Sequence, residues 1–267
     1  AENVSIDFDA LPLIRLLDDD GQPVKISSDL PGRKVCARIY ELNVGRVKLY
    51  LLHTNLVDNN PNDRQLTDML YISDLELRIS QEILLGMGGV RALRALGYQP
   101  TAWHMNEGHS AFLTLERARE YIQKGMSFDE ATELIKKTNI FTTHTPVPAG
   151  NDEFPLWLVD KYFSHVWPEL GLSRDEFVEI AKIKQSWGGD AFSMPVLALK
   201  LSEFRNGVSE LHGKVARDMW HFLWPDMKAE ETPIDHITNG IHTETWLARR
   251  MGILFARYMG ADSVDHI

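Results

Sequence analysis

Thr101-Ala102-Trp103-His104-Met105-Asn106-Glu107-Gly108-His109-Ser110-Ala111-Phe112-Leu113-Thr114-Leu115 contains the change of period on which the fold turns. Thr101–Met105 reads as a short strand, whereas Ala111, Leu115, Ala118 and Ile122 recur at helical spacing. A polar turn, Asn106-Glu107-Gly108-His109, separates the two. A strand that hands over to a helix is the unit of parallel α/β sheets, with the helix as crossover.

The same alternation continues downstream. Thr138–Thr143 reads as a second short strand ending at His144, and Ile234–Thr238 as a third. Ser127 with Glu130 and Ser173 with Glu176 read as capping boxes that open helices, and further helices are expected at 193–202, 208–222 and 243–258. Upstream, Leu75, Ile79 and Ile83 set a helical period that Val90, Leu93 and Leu96 resume. Gly86-Met87-Gly88-Gly89 interrupts that period and is expected to form a flexible loop able to close over a ligand. Before residue 72 the signals are Val35–Leu42, Val44–Leu52 and turns at Asp18–Gly21 and Leu30–Gly32. The expected architecture is α/β, with a β-rich portion over 1–72 and a parallel sheet flanked by helices over 73–267, one domain overall.

Composition restricts the function. The chain has 267 residues, 44% apolar and 25% charged, enough to bury a sizeable core. A net charge of −10 with scattered acidic residues argues against nucleic-acid binding, which depends on clustered cations. Apolar runs such as Val47–Leu52 are far shorter than the roughly 20 residues of a membrane span. The single cysteine, Cys36, excludes an internal disulfide and fits a reducing, cytoplasmic setting. The chain begins Ala1-Glu2-Asn3-Val4, with no export signal and no initiator Met, which reads as a processed protein or an excised piece.

Ligands of open α/β sheets bind beyond the carboxyl ends of the strands. Asn106-Glu107-Gly108-His109, His144-Thr145 and Asn239-Gly240 all fall at such ends. Amide, carboxylate and imidazole groups suit a polyhydroxylated ligand, whose hydroxyls both donate and accept. Simpler readings stand beside this one. Asn106 and Glu107 could cap the following helix, and Thr238–His242 could be a plain turn. Asn206-Gly207-Val208-Ser209 reads as the opening of a helix. His104 and His109 are spaced i, i+5 across a turn, not i, i+4 on a helix, so no metal site is assigned. Gly86 and Gly88 lack the third glycine of a dinucleotide loop, since Arg91 stands there. Thr142-Thr143-His144-Thr145-Pro146-Val147-Pro148-Ala149-Gly150 reads as a strand end followed by an irregular loop shaped by its prolines.

Five of these runs, in order, resemble the α-glucan phosphorylase family, in particular its bacterial branch. They are Gln81–Leu93, His104–Phe112, Phe141–Val147, Asn206–Gly213 and Ile237–His242. The resemblance covers nearly the whole chain and implies one Rossmann-like half of a two-domain GT-B glycosyltransferase, from its N-terminal half. It implies reversible phosphorolysis, with retention, of terminal α-1,4-linked glucose to glucose 1-phosphate, using inorganic phosphate and pyridoxal phosphate. His144 would line the glucosyl subsite, its ring toward the 6-hydroxyl and its backbone carbonyl near the anomeric carbon. Asn239, Gly88, Gly89, Asn106, Glu107, His109 and Thr145 would complete the substrate side. Many relatives carry Asp at the Glu107 position and at the His53 position.

The family's cofactor lysine and phosphate-binding motifs are not found in the chain, so it is expected to be inactive alone and to need the C-terminal domain. The resemblance also admits a homodimer. Two rival readings remain: a nucleotide-sugar-dependent glycosyltransferase of the glycogen or starch synthase type, and a noncatalytic glucan-binding fragment.

Overall fold

The computed structural model describes residues 11–70, 72–147, 150–184 and 188–260. The first portion is an antiparallel sheet of β1 (Ile14–Arg15), β2 (Lys25–Leu30), β3 (Arg33–Val44) and β4 (Val47–His53), with β3 pairing to the other three. Alternation explains its buried face: Val35, Ala37 and Ile39 are fully buried, while Cys36 and Arg38 between them are not. β2 is an addition to the strands expected from sequence. Its run Lys-Ile-Ser-Ser-Asp-Leu looks polar, yet Ile26, Ser28 and Leu30 are buried against its neighbours. A short helix, α1 (Pro61–Arg64), follows, capped by the Asn60 side chain accepting from the Asp63 N–H.

The glycine-rich interruption expected as a mobile loop is a helix. α2 (Leu75–Ile83) begins with Asp74 accepting from the N–H groups of Glu76 and Leu77 and runs into a π-helical turn over Leu84–Gly88. α3 (Gly89–Ala95) continues without a break, and Gly88 and Gly89 have helical φ of −61°. The glycine that packing requires is Gly86. A Cβ there would stand 2.8 Å from the Leu113 nitrogen and 2.9 Å from the Phe112 Cβ. The glycines thus serve close backbone approach, and the expectation of a flexible connector is corrected.

The second portion is built on a parallel sheet of order β11-β10-β6-β5. β5 (Trp103–Asn106) leads through α4 (Leu113–Ile122) and α5 (Phe128–Lys136) to β6 (Asn139–Thr143). The Ser127–Glu130 capping box opens α5 as expected. A three-stranded antiparallel sheet interrupts the pattern. It comprises β7 (Glu153–Pro155), reached before α6 (Leu156–Phe163), α7 (Val166–Glu169) and α8 (Arg174–Glu179), then β8 (Lys182–Lys184) and β9 (Asp190–Ser193). α9 (Met194–Lys200) returns the chain to β10 (Phe204–Gly207), and α10 (Glu210–Trp220) leads to β11 (Asp235–His236). Asn206 and Gly207, read from sequence as a helix opening, instead end a central strand, and the helix starts at Glu210 with Ser209 as its cap. The helix expected over 243–258 is two pieces, α11 (Thr243–Trp246) and α12 (Arg249–Met259).

One continuous core joins both portions, from Ile26, Val35 and Ile39 through Ile79 and Ile83 to Met105 and Phe141. Phe112, just past the polar turn, packs 4.6 Å from Phe163, which stacks on Phe177, and Phe177 on Phe192. This aromatic column holds the turn from beneath.

Candidate functional site

Parallel pairing brings the strand ends together. Asn106 is opposite Thr142, and Thr142 opposite Asn206, so the residues that follow emerge on one edge of the sheet. His144, the first residue past β6, places its Nε2 2.5 Å from Asn106 Oδ1. A carbonyl oxygen only accepts, so Nε2 carries the proton, and Nδ1 makes no hydrogen bond among the described residues. The Asn106 side is exposed and His144 half-exposed, so this pair faces solvent.

Glu107 turns inward. Its carboxylate Oε2 accepts from the His144 N–H at 2.8 Å, the Thr145 N–H at 2.9 Å and the Thr145 hydroxyl at 2.8 Å. It makes no side-chain cap to the following turn, so the simple capping reading of this residue fails. Its backbone has φ 69°, the only positive φ at a non-glycine among the described residues. Such a conformation is disfavoured by about 1–3 kcal/mol and persists where surroundings enforce it. Oε1 is buried without a hydrogen-bond partner.

His109 belongs to a neighbouring cluster. Its Nδ1 lies 2.7 Å from Asp152 Oδ2 and 2.6 Å from Arg78 Nη2. Arg78 also donates to both Asp152 oxygens, at 3.2 and 2.8 Å, and its Nε is 2.9 Å from Glu82 Oε1. Burial and the nearby Asp152 charge push the Glu82 carboxyl well above the ordinary range. Asp152 is held well below its own range: the bonds from His109 and Arg78 outweigh the burial that opposes them. Within the pair the proton is therefore favoured on Glu82 and the negative charge on Asp152. Glu82, His109 and Asp152 have donor atoms close enough together for a metal ion. The Arg78 guanidinium, however, already contacts all three and supplies the positive charge.

The remaining residues named from sequence lie apart. Asn239 is exposed beyond β11, its N–H donating to the Val208 carbonyl, and it has no hydrogen bond to His144. Gly88 is buried next to Ser28 and Ile26 within the helical turn, and nothing stands within 4 Å of a Cβ built on Gly89. Pro148 and Ala149 of the loop after His144 lie outside the described residues. Sequence reasoning missed a polar chain across the sheet: Thr142 donates to Asn206 Oδ1 at 2.9 Å and lies 2.7 Å from His104 Nε2. Since the threonine proton is used, His104 donates. The alternation of His104, Asn106 and Thr142 on adjacent strands was the available signal. Arg78, Glu82 and Asp152 were also missed.

No model of a known protein family matches the chain. It is similar to maltodextrin phosphorylase of Thermococcus litoralis, 44% identical over 250 residues, covering 94% of this chain and 29% of that protein. It is 41% identical over 275 residues to glycogen phosphorylase of Mycobacterium tuberculosis, covering 97% and 31%. With glycogen phosphorylase of Aquifex aeolicus it shares 33% over 255 residues, 96% and 36% of the two chains. The chain spans about a third of the length of these relatives. Over the third that it spans, the chain belongs to the α-glucan phosphorylase family.

Proposed function

We propose that the chain supplies the glucosyl-binding wall of an α-glucan phosphorylase, an enzyme that releases glucose 1-phosphate from α-1,4-glucan ends with inorganic phosphate. The observation that carries this reading is the His144–Asn106 pair at the carboxyl ends of β6 and β5. One imidazole nitrogen is committed to Asn106 and the other is free for a sugar hydroxyl. In this reading the ring faces the 6-hydroxyl, the His144 carbonyl faces the anomeric carbon, and Asn239 and Thr145 bound the subsite. His109 supports the subsite from the adjacent cluster, and Gly88 and Gly89 act through the helix behind it.

In this reading the amine that pyridoxal phosphate needs lies outside this chain, in keeping with lysines here that are already engaged. Lys161 and Lys182 are in ion pairs with Glu76 and Asp190, and half-buried Lys200 donates to the Glu179 carbonyl. No step is assigned to that cofactor here; in this reading it belongs to the rest of the polypeptide, as does the facing domain. Among the described residues no helix is long and apolar enough to cross a membrane. A cytoplasmic location is part of the proposal.

The test is phosphorolysis by the full-length protein. With maltodextrin and inorganic phosphate it should form glucose 1-phosphate, while this chain alone should form none. Glucosyl transfer from a nucleotide sugar without phosphorolysis would replace this reading with the synthase one. Glucan binding with neither reaction would leave a binding fragment.

A further inference from the structure

Glu107 has features that a sugar contact does not require. It is buried, its backbone is in the left-handed region at φ 69°, and one carboxylate oxygen collects three donors from two consecutive residues. Two of those donors are backbone N–H groups, and a backbone N–H fixes more than itself. In a trans peptide the N–H and C=O lie in one plane and point in opposite directions. The Thr145 N–H shares its peptide plane with the His144 carbonyl. Aiming that N–H at Glu107 aims the His144 carbonyl directly away from it. The His144 N–H, held by the same oxygen, fixes the preceding plane, so the unit cannot rotate about either bond alone. The His144 carbonyl itself accepts no hydrogen bond among the described residues, so nothing else in them sets its direction.

We infer that Glu107 is a positioning residue: its carboxylate orients the His144–Thr145 peptide so that the His144 carbonyl dipole points into the subsite, and it does not bind sugar itself. This rests on the glucosyl-site reading above and assigns Glu107 a different task within it. A carbonyl oxygen aimed at the anomeric carbon stabilises positive charge that grows in the transition state, and such a group acts on kcat more than on ground-state binding. The disfavoured positive φ at Glu107 is what surroundings enforcing such an orientation would produce. The turned backbone at residue 107 and the side chain's contacts with the His144 and Thr145 N–H groups occur together. A carboxylate is suited to this because it accepts several donors at one oxygen.

The experiment uses the full-length protein and two probes of one shape, glucose and a glucose-configured cationic iminosugar. Wild type serves as the control: if it forms no glucose 1-phosphate, the function reading fails and takes this inference with it. In an active protein, Glu107→Ala should lower kcat about thirtyfold or more, with KM for glucan changed by less than about threefold. It should weaken the iminosugar by a similar factor and glucose by less than about threefold. Glu107→Gln keeps an oxygen for the same three donors and should retain the iminosugar preference to within about threefold. Equal weakening of both probes in Glu107→Ala, or a rise in KM with kcat kept, would overturn the assignment in favour of a sugar contact or a scaffold. If Glu107→Ala does not fold, Glu107→Gln decides alone. A Gln variant that loses the preference for the cation would mean that the charge of Glu107 acts directly on the substrate, and a retained preference supports the clamp.

Discussion

Arg78 and Asp152, 74 positions apart, are joined by two hydrogen bonds, Nε to Oδ1 at 3.2 Å and Nη2 to Oδ2 at 2.8 Å. The pair ties α2 to the segment that follows the His144 loop, and Arg78 also lies beside the Glu82 carboxyl and His109. Removing the guanidinium leaves an ionised, largely buried Asp152 without its counter-charge. Breaking a buried pair from one side costs about 3–5 kcal/mol, and because Asp152 retains some solvent access, Arg78→Met should cost ~2–3 kcal/mol. Urea denaturation of the chain measures it. A loss below about 1 kcal/mol would mean that the pair is screened and contributes little to holding the segment.

Glu82 makes stability depend on pH in a defined direction. Its native pKa is raised above the ordinary 4.5, so folding retains a proton that the unfolded chain releases near that value. That contribution is complete below about pH 4.5 and is lost as pH rises toward the native pKa, by up to about 1.4 kcal/mol per unit. Asp152 acts the opposite way: its pKa is lowered, so its contribution is present above about pH 3.9 and is lost in stronger acid. Glu82→Gln removes only the first dependence. The urea midpoints of the variant and wild type should therefore diverge in favour of the variant between pH 5 and 7.5. Parallel curves would place the proton elsewhere.

The glycines of the π-helical turn should separate sharply on substitution. Gly86→Ala drives a Cβ to within 2.8 Å of backbone, and overpacking of that kind costs ~1–3 kcal/mol. Gly88→Ala meets the Ser28 hydroxyl at 3.1 Å and Ile26 at 3.3 Å, contacts that side chains can relieve in part. Gly89→Ala enters open space at a helical φ and should be stabilising by ~0.5–1 kcal/mol. The expected order of Tm is Gly89→Ala, wild type, Gly88→Ala, Gly86→Ala. Three equal values would restore the flexible connector.

What was legible in the sequence was local. Ser127 with Glu130 and Ser173 with Glu176 cap their helices as read, because a capping box is complete within four consecutive residues. β5 and β6 and the polar residues at their ends were legible for the same reason, since strand, turn and helix follow one another. β10 was not. Asn206-Gly207 is turn chemistry by itself, and only pairing with β6 on one side and β11 on the other makes it a central strand. The helical turn at Gly86 was misread because a glycine signals either freedom or close approach, and the deciding neighbours, Phe112 and Leu113, are distant in sequence. Arg78 and Glu82 are an i, i+4 pair on α2 that helical spacing could suggest, but His109 and Asp152 come from other segments, so no spacing rule could have assembled the full cluster.

The face of the parallel sheet that carries His104, Ile140 and Phe204 is poorly covered, and Phe204 is 54% exposed with Ile237 at 66%. Parallel sheets are stable when both faces are covered, and exposed apolar area of this kind promotes association. The chain on its own should show a rising sedimentation coefficient with concentration, and Phe204→Ser with Ile237→Ser should reduce the rise. A concentration-independent monomer would mean that this face is tolerated in water.

His144→Ala tests the ring separately from the carbonyl. Glu107 holds the backbone at 144 and 145 through main-chain N–H groups, which an alanine retains, so the carbonyl should keep its direction in the variant. What is lost is the imidazole: one bond to Asn106 and, in the proposed reading, one to the sugar 6-hydroxyl. A neutral hydrogen bond contributes ~0.5–1.5 kcal/mol, so kcat/KM in the full-length protein should fall by at most about tenfold, less than for Glu107→Ala. A donor lacking the 6-hydroxyl should be a poor substrate for wild type and nearly as good as the parent sugar for the variant, because the missing partner no longer matters. Asn106→Ala should fall between the two, since it releases the ring without removing it. If His144→Ala melts earlier but keeps its preference for the 6-hydroxyl, the imidazole is a packing group at a strand end. The subsite would then have to be rebuilt around the carbonyl alone.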